Sequence, residues 1–194
     1  GHTILTLVKD NSNYKVLGKT LDDSAGEVFD KVARHLGLAY PGGPEISKVA
    51  SNISSSSYIF PRPMIKTDCY NFSFSGLKTH VTQLINKVEL NDSIIEDIAY
   101  DFENSIIDVL ISKTLRAARE YNIKNIVITG GVSANKKLRM RCDAEKGKNK
   151  IFFPNIAYST DNGAMIAYMG WLKSSEKSAN NTLEINPNPS SRFI

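Results

Sequence analysis

The stretch that most limits what this chain can fold into is Asn125-Ile126-Val127-Ile128-Thr129-Gly130-Gly131-Val132-Ser133-Ala134-Asn135, an apolar β-branched run that breaks into paired glycines and then a polar helix start. Ile126 to Thr129 favour a strand buried on both faces, which requires helices packed above and below it. Gly130 and Gly131 are expected to supply positive φ angles and to let a ligand approach bare backbone. Ser133 or Asn135 then caps a helix running through Arg141 and leaves N–H groups aimed into the turn, where anions or ring nitrogens are attracted. An ordinary strand-turn-helix corner uses the same residues, so this stretch alone leaves both readings open.

A chain of 194 residues with 41% apolar content can bury a real core. Its 24 basic and 20 acidic residues leave a net charge of +4, too mild to mark a nucleic-acid binder. The distribution is more telling. Lys136, Lys137, Arg139, Arg141, Lys146, Lys148 and Lys150 crowd one segment against only Asp143 and Glu145, as a phosphate-facing patch or a solvated helix face would. Cys69 and Cys142 lack any C-x-x-C spacing, which points away from a disulfide framework or thiolate zinc site and fits a reducing cytoplasm. No apolar run approaches the ~18 residues of a membrane span. The chain opens on Gly1-His2-Thr3 without Met and enters a strand-like run at once, so it reads as part of something longer.

Taken in order, Ile4–Val8 and Tyr14–Thr20 are strand-like and joined by an Asp/Asn/Ser turn, which predicts a β-hairpin. Ser24 to Glu27 is a capping box opening a helix whose apolar stripe is Val28, Phe29, Val32, Ala33 and Leu36, with Gly37 as its stop. Asp30 lies off that stripe, where a solvated carboxylate is the ordinary expectation. Tyr40-Pro41-Gly42-Gly43-Pro44 reads as a rigid loop, either a tight turn or a wall lying flat against a ligand. Ser51 to Tyr58 should be exposed, Phe60 to Met64 extended, and Asn71 to Ser75 an edge strand. Gly76 to Val88 is helical, and its His80 has no ligand partner at useful spacing. Ser93 to Glu96 forms a second capping box for the longest helix, read as scaffold, which feeds the Ile126 strand in an α/β crossover. Ile151 to Phe153 is a short strand. Asp161 stands at a further helix start, as a cap or as a ligand to a hard cation.

Together, Asp22 to Lys31, Tyr40 to Pro44, Phe72 to Thr79, Gly130 to Asn135 and Thr160 to Ala167 resemble the motifs of the TsaD family, in family order. Gly1-His2-Thr3 resembles the end of that family's Ser-Gly-Gly-His-Thr. The family, once assigned a glycoprotein endopeptidase activity, transfers a threonylcarbamoyl group to the adenosine 3′ of the anticodon in tRNA. A protease would need a nucleophile or a water-activating zinc site, and neither is evident here. The resemblance implies an α/β fold of the actin/Hsp70/hexokinase (ASKHA) type, mostly the second lobe plus C-terminal elements. Residues 1–173 would form that lobe, with a helical insertion around 75–121, and residues 174–194 a polar tail.

By the same resemblance Asp30 matches the carboxylate holding the ligand's ribose, and Gly1, Gly43 and Asn135 match positions contacting threonylcarbamoyl-adenylate. Asp161 matches a ligand of one divalent metal ion, iron or zinc, whose His ligands lie in a His-x-x-x-His helix outside this chain. His2, His35 and His80 do not replace them. Ser47 stands where many relatives carry an acid after Pro-Gly-Gly-Pro, which weakens one expected ligand contact. The implied partners are tRNA, the adenylate, and TsaB-type and TsaE-type subunits, in the cytoplasm and away from membranes. Two rivals remain at this point: an ATP-dependent phosphotransferase on the same fold, and a non-enzymatic scaffold subunit.

Overall fold

The computed structural model describes residues 1–10 and 13–175. Ile4–Val8 (β1) and Tyr14–Lys19 (β2) form the expected antiparallel hairpin. Helix α1 (Ala25–His35) follows, with the Ser24 hydroxyl accepting the Glu27 N–H at 3.3 Å and Gly37 ending it at φ +73°. Thr3 supports the same end, its Oγ1 accepting the Ala25 N–H at 2.9 Å.

The rigid loop expected from Tyr40 to Pro44 is instead the start of a helix, α2 (Gly42–Ala50). Pro44 is no obstacle there, because amides in the first turn of a helix have no intrahelical acceptor and a proline loses nothing by lacking one. The edge strand expected at Asn71 to Ser75 shrinks to a single parallel bridge between Thr20 and Phe72. Around it the Phe72 N–H donates to the Lys19 carbonyl at 3.0 Å, and the Phe72 carbonyl accepts the Leu21 N–H at 2.9 Å. Gly18 permits that approach, since a Cβ there would collide with the Tyr70 backbone. Helix α3 (Ser75–Ile85) comes next, its first amides taken by the Asp22 carboxylate, which accepts the Phe74 N–H at 2.8 Å and the Ser75 N–H at 3.2 Å.

Helix α4 (Asp92–Glu120) is the spine. Its cap is Asn91, whose side-chain oxygen accepts the Ile94 N–H at 3.0 Å, and not the expected Ser93 box; Asn is at least as good as Ser in that role and comes two residues earlier. Ile98, Ala99, Phe102, Ile106 and Val109 bury against α1, α2 and α3, with Phe102 edge-on to Phe29 at 5.3 Å. Ile107 and Ile111 face a second cluster with Leu138 and Cys142. That cluster covers one face of a two-stranded parallel sheet, β3 (Asn125–Val127) and β4 (Lys150–Phe152), joined through α5 (Lys136–Glu145).

The expectation of a strand buried on both faces fails. Ile126 is buried, but Val127 is 69% exposed and its register partner Phe152 is 49% exposed. Only the α4/α5 side of the sheet is covered among the described residues. Helix α6 (Gly163–Ser175) ends the described chain, with Ile166, Tyr168 and Trp171 exposed. It carries helix two residues into the tail expected from Ser174, and residues 176–194 lie outside the described residues. Among the described residues no helix is long and apolar enough to cross a membrane.

Asp23 ties α1 to α3. Its carboxylate meets the Lys31 ammonium at 2.8 Å and the Lys78 ammonium at 2.6 Å, and hydrogen bonds from these two lysines hold its carboxyl below the usual carboxylate range. A depressed folded-state pKa stabilises the fold above the unfolded-chain value of about 3.9, and the contribution is lost as pH falls through the lower folded value. Asp23→Asn should therefore lower the melting temperature at pH 7, with the gap to the parent closing below about pH 4. Thermal unfolding at pH 7, 5 and 3 checks this, and a gap that does not change with pH would contradict it.

Candidate functional site

Asp30 projects from α1 towards the start of α2. Its Oδ1 accepts the Gly42 N–H at 2.8 Å, so the carboxylate satisfies an amide that the helix itself leaves without a partner and faces the positive end of the α2 dipole. Its Oδ2 has no hydrogen bond among the described residues and stays open as an acceptor. Asp30 is thus half-buried and anchored, not the freely solvated carboxylate that spacing suggested.

The paired glycines divide their work. A Cβ on Gly42 would lie 2.6 Å from the Ala33 Cβ and 2.7 Å from the Asp30 Cα, so glycine here lets α1 and α2 touch. A Cβ on Gly43 would meet nothing within 4 Å. Packing explains the first glycine; the second leaves open space beside the Asp30 carboxylate and the amides of the α2 start.

One turn along α2, Ser47 meets the turn that follows β3. Gly130 takes φ +89°, as expected, whereas Gly131 does not have a positive φ and enters a 3-10 turn, Gly131–Ala134. Of the two candidate caps, Asn135 holds α5, its Oδ1 accepting the Leu138 N–H at 2.8 Å. Ser133 is buried, and its hydroxyl has no hydrogen-bond partner among the described residues. The Asn135 amide nitrogen donates to the Ser47 hydroxyl at 2.9 Å and to Glu103 Oε1 at 2.7 Å, while the Ser47 hydroxyl donates to the same oxygen at 2.6 Å. Glu103 is 2% exposed; its Oε2 lies 3.7 Å from the Lys137 ammonium, which sits over the Tyr100 ring at 3.8 Å. Burial pushes the Lys137 pKa down, against the pull of Glu103.

The structure therefore brings Asp30, Gly43 and Asn135 together through Gly42 and Ser47. It does not join Gly1 or Asp161 to them. Gly1 is exposed, two residues before Thr3. Asp161 is exposed and is not the cap of α6, because Asn162 takes that role by accepting the Met165 N–H at 3.1 Å. Asp161 has no hydrogen-bond or ion-pair partner among the described residues. Those residues contain no group of three His, Cys, Asp or Glu side chains that could hold a metal ion, so Asp161 does not by itself make a metal site.

The basic segment is largely spent internally. Arg139 donates to the Ser133 carbonyl at 2.6 Å and the Pro154 carbonyl at 2.9 Å and stacks on Phe153. Arg141 pairs with Asp108 at 3.0 Å and with Glu145 at 2.5 Å, and Lys146 pairs with Asp143. With Lys137 on Glu103, the exposed cations of the segment without an acidic partner among the described residues are Lys136, Lys148 and Lys150. The expected patch is smaller and differently placed than composition suggested. Glu103 was missed altogether. The signal was available, since Ala99, Glu103, Ile106 and Leu110 share the apolar side of α4, where an acid is out of place unless partnered.

The two glycines give a direct check on this division. Gly42→Ala should lose about 1–3 kcal/mol by forcing α1 from α2, whereas Gly43→Ala should stay within about 1 kcal/mol of the parent. Denaturant unfolding of the two variants measures the difference, and the reverse order would contradict the packing described.

The family model for TsaD, tRNA N6-adenosine threonylcarbamoyltransferase, matches residues 1–168. A protein of that name from Thermosipho africanus is 47% identical over 191 residues, covering 97% of this chain and 58% of its own length. Another from Ralstonia pickettii is 46% identical over 180 residues, covering 89% of this chain and 52% of its own. The chain thus spans little more than half the length of the curated relatives it matches. Among solved structures, the crystal structure of T. kodakarensis HypF superposes with a TM-score of 0.57 over 84% of this chain and 21% of that one, at 20% identity, a likeness of fold alone. With this family match, the motifs and the α/β architecture agree: the chain belongs to the tRNA N6-adenosine threonylcarbamoyltransferase (TsaD) family, whose fold is of the actin/Hsp70/hexokinase type.

Proposed function

We propose that this chain supplies the adenylate-holding part of an enzyme that moves a threonylcarbamoyl group from threonylcarbamoyl-adenylate to the exocyclic amine of the adenosine 3′ of the anticodon in tRNA. The observation that carries the reading is the corner where Asp30 meets the start of α2. There a carboxylate with one free oxygen, an open glycine and helix-start amides lie side by side. Asp30 Oδ2 accepts a ribose hydroxyl, a charge-assisted bond of the stronger kind. The Gly43 amide, which α2 leaves without a partner, donates to a ligand oxygen. In the transfer, the amine nitrogen forms a bond to the carbamoyl carbon as the bond from that carbon to the phosphate oxygen breaks; the amine gives up one proton to solvent, and AMP leaves with the bonding electron pair. Asp30 and Gly43 hold the AMP portion in place until that bond has broken.

The polar residues of this lobe account for holding the adenylate. Asp161 would give one oxygen ligand to a divalent ion, iron or zinc, with His ligands from outside this chain. Bound there, the ion would supply Lewis-acid polarisation of the carbamoyl carbonyl. Partners of the TsaB and TsaE type and a cytoplasmic location rest on the family resemblance.

The test is binding of a sulfamoyl-adenosine analogue of the adenylate by calorimetry, with the full protein and its Asp30→Ala variant. The variant should bind about 10- to 100-fold more weakly, as loss of a hydrogen bond to a charged group implies. Equal affinities, or preferential phosphoryl transfer from ATP to small hydroxylated substrates, would overturn the reading in favour of the phosphotransferase. A second expectation concerns RNA. Replacing Lys148 and Lys150 by Ala should flatten the slope of log K against log salt for tRNA by about one unit for every phosphate left without its lysine, whatever the anticodon-loop sequence. Unchanged slopes would remove this edge from the RNA interface.

A further inference from the structure

We propose that Glu103 is the positioning residue of the adenylate site: from the middle of α4 its buried carboxylate fixes the orientation of the Asn135 side-chain amide at the turn after β3. This deepens the functional reading above and rests on it. The donor count decides the orientation. A side-chain amide has two N–H donors and one oxygen with two lone pairs. The Asn135 amine faces Glu103 Oε1 at 2.7 Å and the Ser47 hydroxyl at 2.9 Å, which lie 2.6 Å from each other, so this pair holds the amine end of the amide. Its oxygen gives one lone pair to the Leu138 N–H at 2.8 Å and keeps the other. The backbone is committed too: the Asn135 N–H donates to the Val132 carbonyl at 3.0 Å and its carbonyl accepts the Arg139 N–H at 3.2 Å. The side chain is therefore held at both ends, its carbonyl oxygen on the start of α5 and its amine on Glu103 and Ser47.

A carboxylate is the group that enforces this. It has no hydrogen to donate, so the Asn135 oxygen cannot turn towards it without placing two acceptors face to face. Ser47 completes the arrangement, because its own hydrogen goes to Glu103 at 2.6 Å and its lone pair is left to receive the Asn135 amine. The acid that many relatives place at position 47 is absent here, and the carboxylate touching that position comes from α4 instead. Lys137, 3.7 Å from the second carboxylate oxygen, keeps Glu103 paired in its buried position.

The experiment uses the full protein and calorimetric titration with the sulfamoyl-adenosine analogue. Glu103→Ala should bind about tenfold or more weakly. In a double-mutant cycle, Glu103→Ala should add almost nothing to Asn135→Ala, because the first acts through the second. A merely structural loss would instead lower affinity in both backgrounds. Relocating the charge offers the complementary arm. Ser47→Glu alone sets a second carboxylate against Glu103 and should weaken binding, while Ser47→Glu combined with Glu103→Gln should bind within about threefold of the parent, one carboxylate again standing at the contact between α2 and α4. Full binding by a folded Glu103→Ala variant, additive losses in the cycle, or no recovery in the charge-relocated double variant would each overturn the proposal. Failure of the parent protein to bind the analogue would count against the adenylate reading itself, which separates the two failures.

Discussion

Everything in this fold leans on α4, a helix of 29 residues that is buried on two sides at once. Burial on both sides leaves the polar residues on those sides no solvent to turn to. Asp101, Glu103 and Lys113 are 7%, 2% and 1% exposed, and a buried charge without partners costs several kcal/mol. Each of the three therefore captures something. Asp101 holds the Arg62 guanidinium with two bonds of 2.9 Å and takes the Phe60 N–H at 2.5 Å. Lys113, whose pKa burial pushes down, donates to the Cys69 carbonyl at 2.8 Å and the Thr67 hydroxyl at 3.2 Å. Glu103 captures Ser47 and Asn135. Two of these charges pin a long segment that has no regular structure between α2 and α3. The third builds the candidate site.

Ion pairs extend the same logic outward. Arg62 reaches past Asp101 to Asp108 at 3.0 Å, and Asp108 in turn holds Arg141 of α5 at 3.0 Å. The irregular segment, the spine and the helix after the glycine turn are thereby linked through alternating charges. Pairs of this kind add little when solvated, but partial burial raises their weight and makes loss of a single partner the damaging change. This is also why the basic segment does not present itself whole to a nucleic acid. Its arginines are structural, and the lysines left over are fewer than composition implied.

What the sequence made legible follows from locality. Helix α1 with its Ser24 cap, the hairpin, α3, α4 and the glycine turn were all readable, because periodicity and caps are properties of neighbouring residues. Misreadings occurred where a distant element decides. The Tyr40–Pro44 stretch looked like a loop because two prolines and two glycines do; it becomes a helix start once Asp30 supplies an acceptor for Gly42. Ile126 to Thr129 looked fully buried because β-branched runs usually are, yet only one face of the two-stranded sheet is covered among the described residues. Asp30, Gly43 and Asn135 were singled out by resemblance, and the geometry suits two of them to the proposed role: Asp30 keeps a free oxygen and Gly43 keeps open space. Glu103 was invisible to motif reading, since it lies in a helix taken as scaffold and acts through residues 56 and 32 positions away.

The site residues divide into two groups that differ in how completely they are supported. Asp30, Gly43 and Asn135 sit on α1, α2 and the turn after β3. They are held by hydrogen bonds to Gly42, Ser47 and Glu103, and all of these elements pack on the spine through one core or the other. Their geometry is set before any ligand arrives, so little ordering would remain to be done on binding. Asp161 is the opposite case, an exposed carboxylate ahead of a helix whose large apolar side chains are exposed among the described residues. Its oxygens have no partner among those residues to fix them, and a metal ligand is normally oriented by groups around it. In the proposed reading, holding an adenylate and completing the chemistry on it would therefore fall to separate structural units: the corner preorganised by a buried acid on α4, and an Asp161 whose oxygens α6 leaves without partners among these residues.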